Sequence, residues 1–484
     1  MSQLFGSSPP PRRRLRKFAW TFLILIGCAA AFVGWAAYQS NVKLREAMAE
    51  AAMDVPHWQL PELETRRADI PPSENSALVI QNGHRLIAGN KYSQQQQEWE
   101  EAIDELTHCP TARANEQQIE ALNSSMKPFA AAMVEFDKLK DLPRGRYPLK
   151  ISEDIVSTLL PHTQNARTVA RTLRFASLQR IEAGNVAGAA DALVGGFNAG
   201  RSVGEEPFLI SYLVRVACDA IGLATCERFL AQTEADDATL ARVQAIIELE
   251  LSESMFLNSL RGERALGFGY LEYLKSNPSK AQSIGIVAAP NSGTLIEQWL
   301  VYVPGMITRY QIDALKNMNQ AVRIAHLPYE EYPDNFADWE KKVKNLSGLA
   351  RMLLPSVVKV SQAAVRHQAQ LRCMQVAVAA ERYRLQFKKW PEKLDELVDA
   401  KFIKAVPLDP FDGKPLRWKV VDEGRLVYSV GQDRIDNGGN IDRDAMFKDG
   451  GDIGYRLYNV DKRRQPPRPV KAKASDGNPG PGSQ

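Results

Sequence analysis

The densest chemical signal in this 484-residue chain lies near its end, in YSVGQDRIDNGGNIDRDAMFKDGGDIG over residues 428–454. There Asp433, Asp436, Asp442, Asp444, Asp449 and Asp452 alternate with glycines. Calcium is a hard cation that takes six to eight oxygens at roughly 2.3–2.6 Å from a flexible cage, so a glycine-broken acidic loop can wrap one. Magnesium asks for a stricter octahedron and keeps its water, and the loop has no soft ligand to suit zinc. Asn440, Asp442 and Asp444 imitate the alternating start of an EF-hand loop. The imitation stops where Ala445 replaces the required glycine and Gly451 the bidentate glutamate. Two readings stay open, a structural calcium site and a solvated acidic turn.

Catalytic constellations are harder to find. The sequence has no Walker A loop, G-x-S-x-G, H-E-x-x-H or dinucleotide-binding glycine series. His57, His84, His108, His162, His326 and His367 are scattered, none beside a second histidine at ligand spacing. Cys28, Cys109, Cys218, Cys226 and Cys373 form neither a disulfide framework nor a zinc pattern. Cys218 and Cys226 would sit about 12 Å apart along one helix, too far to bridge, and read as small core residues. In SLRGERALGFGY the group Arg261, Glu263 and Arg264 is expected to be a solvated face with local ion pairs, the alternative being a buried polar anchor.

The elements that must carry these residues begin with an address. Residues 1–17 hold Arg12, Arg13, Arg14, Arg16 and Lys17 without an acid, and FAWTFLILIGCAAAFVGWAAY, residues 18–38, has no charge. Such a run can span a bilayer as a helix, with the basic cluster kept in the cytoplasm and the bulk of the chain on the far side. The expected location is therefore the cytoplasmic (inner) membrane of a bacterium, single-pass, with a periplasmic body. Leu25-Ile26-Gly27-Cys28 resembles a lipobox, so a lipoprotein anchored at Cys28 is the alternative; a cleaved signal competes less well, because the apolar run exceeds the usual h-region.

The composition, 44% hydrophobic and 24% charged, is that of a globular protein. The net charge of +4 hides a segregation. Residues 1–17 contribute +5 and residues 455–484 another +5, which leaves −6 for the body between them. An acidic body offers no footprint for nucleic acid.

Helix formers continue from the span to Asp54, and Pro56 ends them, so residues 39–72 read as stalk and Pro-rich linker. Ser73 is the expected N-cap of the first body helix. Residues 73–353 read as an α-helical domain, because three-and-four apolar spacing recurs in QQEWEEAIDELTHC, EQQIEALNSSMKPFAAAMVEFDKL and TVARTLRFASLQRIEAG. PFLISYLVRVACDAIGLATCERFL contains Arg215, Asp219, Glu227 and Arg228 and so reads as a central core helix instead of a second span. IVAAPNSGTLIEQWLVYVPGMI reads as a helical region broken by Pro290 and Pro304. Residues 354–460 read as a long helix followed by a small α+β domain, with LRWKVV and RLVYSV as strands joined by Asp422-Glu423-Gly424. Residues 461–484 are basic and Pro/Gly-rich, and are expected to be disordered. The fold class is thus mainly α, with one transmembrane helix and a small C-terminal α+β unit.

Two resemblances sharpen this. Gly184-Asn185 joins two helices rich in small residues over about 172–203, which is similar to one tetratricopeptide hairpin, although a stable array needs about three copies. Residues 370–454 resemble the C-terminal domain of the major pseudopilin of bacterial type II secretion systems. The likeness rests on an ordered series: AAERYRLQFKKWP closing a long helix, LDELV, DPFDGKP, the strands, then YSVGQDRIDNGG and GGDI. It implies that the closing loop binds calcium, with Asp433 and Asp452 matching family aspartates and Asp436, Asn440 and Asp442 aligned more loosely. The N-terminus departs from the pseudopilin leader pattern. The function expected is non-enzymatic: a membrane-anchored helical interaction or scaffold protein of the cell envelope, with protein partners there and a calcium-stabilised C-terminal domain. A secretion- or pilus-associated component and an envelope hydrolase with a diffuse site are the alternatives.

Overall fold

The computed structural model describes residues 12–468, apart from 88–100, 102, 104, 107, 156, 278–279, 281–304, 345, 347–354 and 442–449. It opens with α1 (Arg12–Asp54), one unbroken helix of 43 residues. Its first half is apolar and bare, with Phe18 79% and Trp35 59% exposed. This stretch is long and apolar enough to cross a membrane. Its last turns behave differently: Leu44, Ala47 and Ala51 are buried in a cluster with Trp58, Leu60, Phe268 and Leu315. Residues 39–72 are therefore no free stalk and linker. They pack into the body, because the apolar positions of α1 recur at helical spacing beyond the span and meet partners on distant helices.

After α2 (Leu60–Thr65) a 3-10 turn over Pro72–Glu74 leads into α3 (Ser76–Leu86). The N-cap is Asn75, whose side chain accepts the Ala77 N–H at 3.1 Å. Ser73, the expected cap, falls inside the 3-10 turn that Pro72 initiates. Next come α4 (Glu116–Met126), with a capping box of Asn115 and Gln118, and α5 (Ala130–Phe136); a 3-10 turn containing Pro128 separates them. An irregular segment over residues 142–155 and 157–160 precedes the hairpin of α6 (Pro161–Glu182) and α7 (Val186–Arg201). Gly184 adopts φ 75° at the turn, and Asn185 caps α7 by accepting the Gly188 N–H at 2.9 Å. The helices close on small residues, and Ser177 donates to the Ala189 carbonyl at 2.9 Å.

The body continues through α8 (Leu209–Gln232), α9 (Asp237–Ser252), α10 (Met255–Ser276), α11 (Met306–Ile324), α12 (Tyr332–Lys344) and the 33-residue α13 (Pro355–Phe387). Helix α8 meets the length and hydropathy of a membrane span, yet 61% of its most apolar window is buried, as a core helix requires. The broken region between α10 and α11 lies almost wholly outside the described residues.

Past α14 (Asp395–Asp399) the chain forms three antiparallel strands, β1 (Arg417–Val421), β2 (Gly424–Ser429) and β3 (Ile453–Tyr458), in the order β1-β2-β3. Arg417 pairs with Tyr428 and Ser429 with Ile453. The third strand carries no period-two signal, since five of its six residues are buried. Mainly helical architecture with a small C-terminal sheet is thus what the chain adopts. One buried cluster runs from Ile80 and Leu173 through Phe229 and Met374 to Val427 and Leu457, so the sheet shares its core with the helices.

Residues 461–465 pack against the body, against the expectation of a disordered tail from 461. Arg463 is buried, makes paired contacts to Glu381 at 2.9 and 2.8 Å, and donates to the Thr233 carbonyl at 2.9 Å. A basic residue that finds a buried carboxylate is held despite its Pro-rich surroundings. Residues 469–484 lie outside the described residues.

Candidate functional site

The acidic loop is positioned by the sheet. It leaves β2 at Ser429 and returns at β3, so that Asp452 enters from one side and residues 433–440 from the other. Asp452, 2% exposed, accepts the backbone N–H groups of Gly439 at 2.7 Å and Asn437 at 3.3 Å. Asp433 accepts the N–H of Ile435 at 3.0 Å. Asp436 accepts the N–H of Gly438 at 2.9 Å and the Tyr428 hydroxyl at 3.1 Å. Gly438 and Gly439 both have positive φ, which turns consecutive amides toward these carboxylates. Burial raises the pKa of Asp452, the two N–H bonds oppose this, and the charges of Asp436 and Asp433 push it up further.

Of the expected ligands, Asp433 and Asp436 thus lie within electrostatic reach of Asp452. Asn440 is solvent-exposed, and Asp442, Asp444 and Asp449 lie outside the described residues. The oxygens are of the hard type calcium takes, and their mutual repulsion is what a cation would relieve. Backbone amides already engage both oxygens of Asp452, which ties the loop together by itself. Among the described residues, no group of three or more His, Cys, Asp or Glu side chains gathers in a metal-holding arrangement.

The acid that organises the domain is Asp409, from the DPFDG turn. Its wholly buried carboxylate accepts the N–H groups of Phe411 at 3.0 Å and Val430 at 2.8 Å, the Ser429 hydroxyl at 2.8 Å and Arg417 at 2.6 Å. It thereby ties the Asp-Pro turn to the end of β2, where the acidic loop begins. Burial raises its pKa against the lowering effect of these four donors. The Asp-Pro signature marked a turn in the sequence, but its distant partners could not be read there.

A second constellation sits where α1 meets the body. Asp54 accepts Arg261 at 3.1 and 2.7 Å, Arg264 at 2.9 Å and His326 at 2.8 Å. One turn earlier, Glu50 pairs with Arg323, and two turns earlier Asn319 donates to the Ala47 carbonyl at 2.9 Å. Arg264, 2% exposed, lies 5.6 Å from the Trp58 ring centroid, and Trp58 meets Phe268 edge-on at 5.0 Å. Burial would raise the Asp54 pKa, but hydrogen bonds from Arg261 and His326 and the charges of Arg261 and Arg264 outweigh it and hold the carboxyl at about 2. Glu263 accepts the Leu209 N–H at 3.2 Å, and burial pushes its pKa up. The Arg261–Glu263–Arg264 group is therefore a polar anchor, buried at Arg264 and half-buried at Arg261 and Glu263, and the expected solvated face is corrected. We call the Asp54 constellation the anchor clamp.

Further buried polar groups lie deeper in the body. Glu206, fully buried, stands between His162 at 2.6 Å and Ser211 at 2.6 Å, with the Tyr147 ring stacked on His162 at 4.3 Å. Arg201 and Arg215 share Glu250 at 2.8 and 2.7 Å and also pair with Glu253. The cavity beside them, which Tyr212, Asp219 and His367 also line, holds about 20 Å³, room for about one water. Burial raises the thiol pKa values of Cys218, Cys226 and Cys373, as in inert core cysteines. Compared with family models, curated proteins and solved structures, the chain gives no match.

Proposed function

We propose that this protein is a single-pass component of a bacterial cell envelope, with its N-terminus inside and its body outside the cytoplasmic membrane, acting as a non-catalytic scaffold for envelope proteins. The anchor clamp carries this reading. A helix whose first half suits a bilayer is continuous with a second half fixed into the body by Asp54, so the body stands in a set orientation to the membrane. Fixed mounting is of use to a protein that presents surfaces to partners. Partner capture supplies the test: site-specific photocrosslinking from exposed positions such as Val134 and Val420 in intact cells should yield discrete higher-mass adducts. A ladder identical to that of an unrelated anchored protein sinks the scaffold reading. Cys28→Ser decides the anchor type, since retained membrane association and no loss of an acyl label exclude the lipoprotein form.

In the same reading calcium stabilises the 430–452 loop, supported by the approach of Asp433, Asp436 and Asp452. Scanning calorimetry of the full chain in detergent should show a higher melting temperature with calcium than with chelator, and Asp433→Ala should remove the difference. An unchanged melt in both proteins contradicts the cation. A secretion-associated role is favoured by the order long helix, short helix, Asp-Pro turn and antiparallel strands. Co-purification with secretion proteins would select it over a general scaffold.

A further inference from the structure

Helices α6, α8 and α13 enclose a groove of about 500 Å³. Its floor is one face of α8, where Leu213, Val216, Ala220, Ile221 and Ala224 recur at three-and-four spacing and stay partly exposed. Its walls are basic. Arg167, Arg171 and Arg174 line one side from α6, and Arg366 and His367 the other from α13. Behind the floor, wholly buried Asp219 approaches His367 at 3.1 Å, a contact without hydrogen-bond geometry, at the inner end of the groove. Among the described residues no acid lines the groove, although the body as a whole is acidic. This also accounts for the membrane-like hydropathy of α8: the part of its apolar surface that the core does not use forms the floor.

The size selects the kind of occupant. A helix with side chains is about 10–12 Å across and rises 5.4 Å per turn, so one turn fills roughly 400–600 Å³, and the groove takes little more than that. Pockets for complete small molecules span roughly 300–1,000 Å³ and combine an apolar lining with a few placed polar groups. Guanidinium groups bind carboxylate and phosphate in a forked geometry that ammonium groups do not reproduce. We propose that this groove binds a single-chain anionic amphiphile, its acyl chain along the α8 floor and its carboxylate or phosphate head among the arginines of α6 and α13.

The test uses the full chain in amphipol and two photoactivatable probes, a twelve-carbon fatty acid and a lysophosphatidylglycerol, each with a diazirine in the chain, against the matching uncharged alcohol. At least one anionic probe should label peptides from 209–224 and 363–370 about tenfold more than the alcohol does. Ala220→Trp, which fills the floor, should reduce that labelling to background. Arg167→Glu, at an exposed position, should reduce it severalfold without disturbing the fold. Equal labelling by the alcohol overturns the proposal, as does labelling that Ala220→Trp leaves intact. Labelling that appears only in acidic bilayers, and not with the monomeric probes, would identify a membrane-docking face and also overturn it.

Discussion

Replacing Asp54 by Asn should release the last turns of α1 from the body while leaving the rest of the fold in place. In the native protein the carboxyl is held at about 2, against an ordinary 3.8. At about 1.4 kcal/mol per pH unit, that difference corresponds to about 2.5 kcal/mol, reduced to about 2 kcal/mol by solvent screening of a partly exposed carboxyl. The figure lies below the roughly 3–5 kcal/mol for breaking a fully buried pair, as suits a side chain still 14% exposed. The folded pKa lies below the unfolded one, so this contribution is complete above about pH 4, is lost as the pH falls toward 2, and is absent below that. Hydrogen–deuterium exchange of the full chain in detergent at neutral pH reads the effect directly. Amides of residues 44–54 should lose about 30-fold protection in Asp54→Asn, while those of α6 and α7 stay unchanged. Protection of 44–54 within threefold of the native value would show that Arg261, Arg264 and His326 do not hold the helix, and the clamp would be refuted.

Three further outcomes follow from the same contacts. Asp409→Ala leaves two backbone amides and the Ser429 hydroxyl without their acceptor, while Arg417 keeps Asp412, and should destabilise the C-terminal sheet by about 3 kcal/mol, read as faster exchange at Phe411 and Val430. Gly262 and Gly267 make an internal comparison within α10: a Cβ at Gly262 would meet the Pro207 carbonyl oxygen at 1.6 Å, whereas one at Gly267 meets nothing within 4 Å. Gly262→Ala should therefore lower the melting temperature sharply, and Gly267→Ala should raise stability by about 0.5–1 kcal/mol. Arg463→Ala should free residues 460–468, making this segment a site of limited proteolysis that the native protein resists.

What was legible in the sequence had its cause nearby along the chain. Gly184-Asn185 announces the α6–α7 hairpin because the turn conformation and the cap are both local. Arg215, Asp219, Glu227 and Arg228 marked α8 as a core helix because charges so closely spaced do not suit lipid. What escaped depends on distant partners. Arg264 seemed solvated since its carboxylate, Asp54, stands 210 residues away, and Arg463 seemed disordered since Glu381 stands 82 residues away. Asn75 displaced Ser73 as the cap because Pro72 spends Ser73 on a 3-10 turn. In the loop, the aspartates were visible, but the engagement of Asp452 by backbone amides follows from the positive φ of two glycines and the register of β3. The basic groove was missed because its three walls come from helices far apart in sequence.

The proposed mounting of the body outside the cytoplasmic membrane on α1 is open to impermeant maleimide labelling of Val420→Cys in intact spheroplasts. Val420 is 67% exposed, and Cys218, Cys226 and Cys373 are buried, so a Cys28→Ser, Cys109→Ser background leaves one reactive thiol. Full labelling before lysis is the expected result. Labelling only after lysis would place the body in the cytoplasm and contradict it.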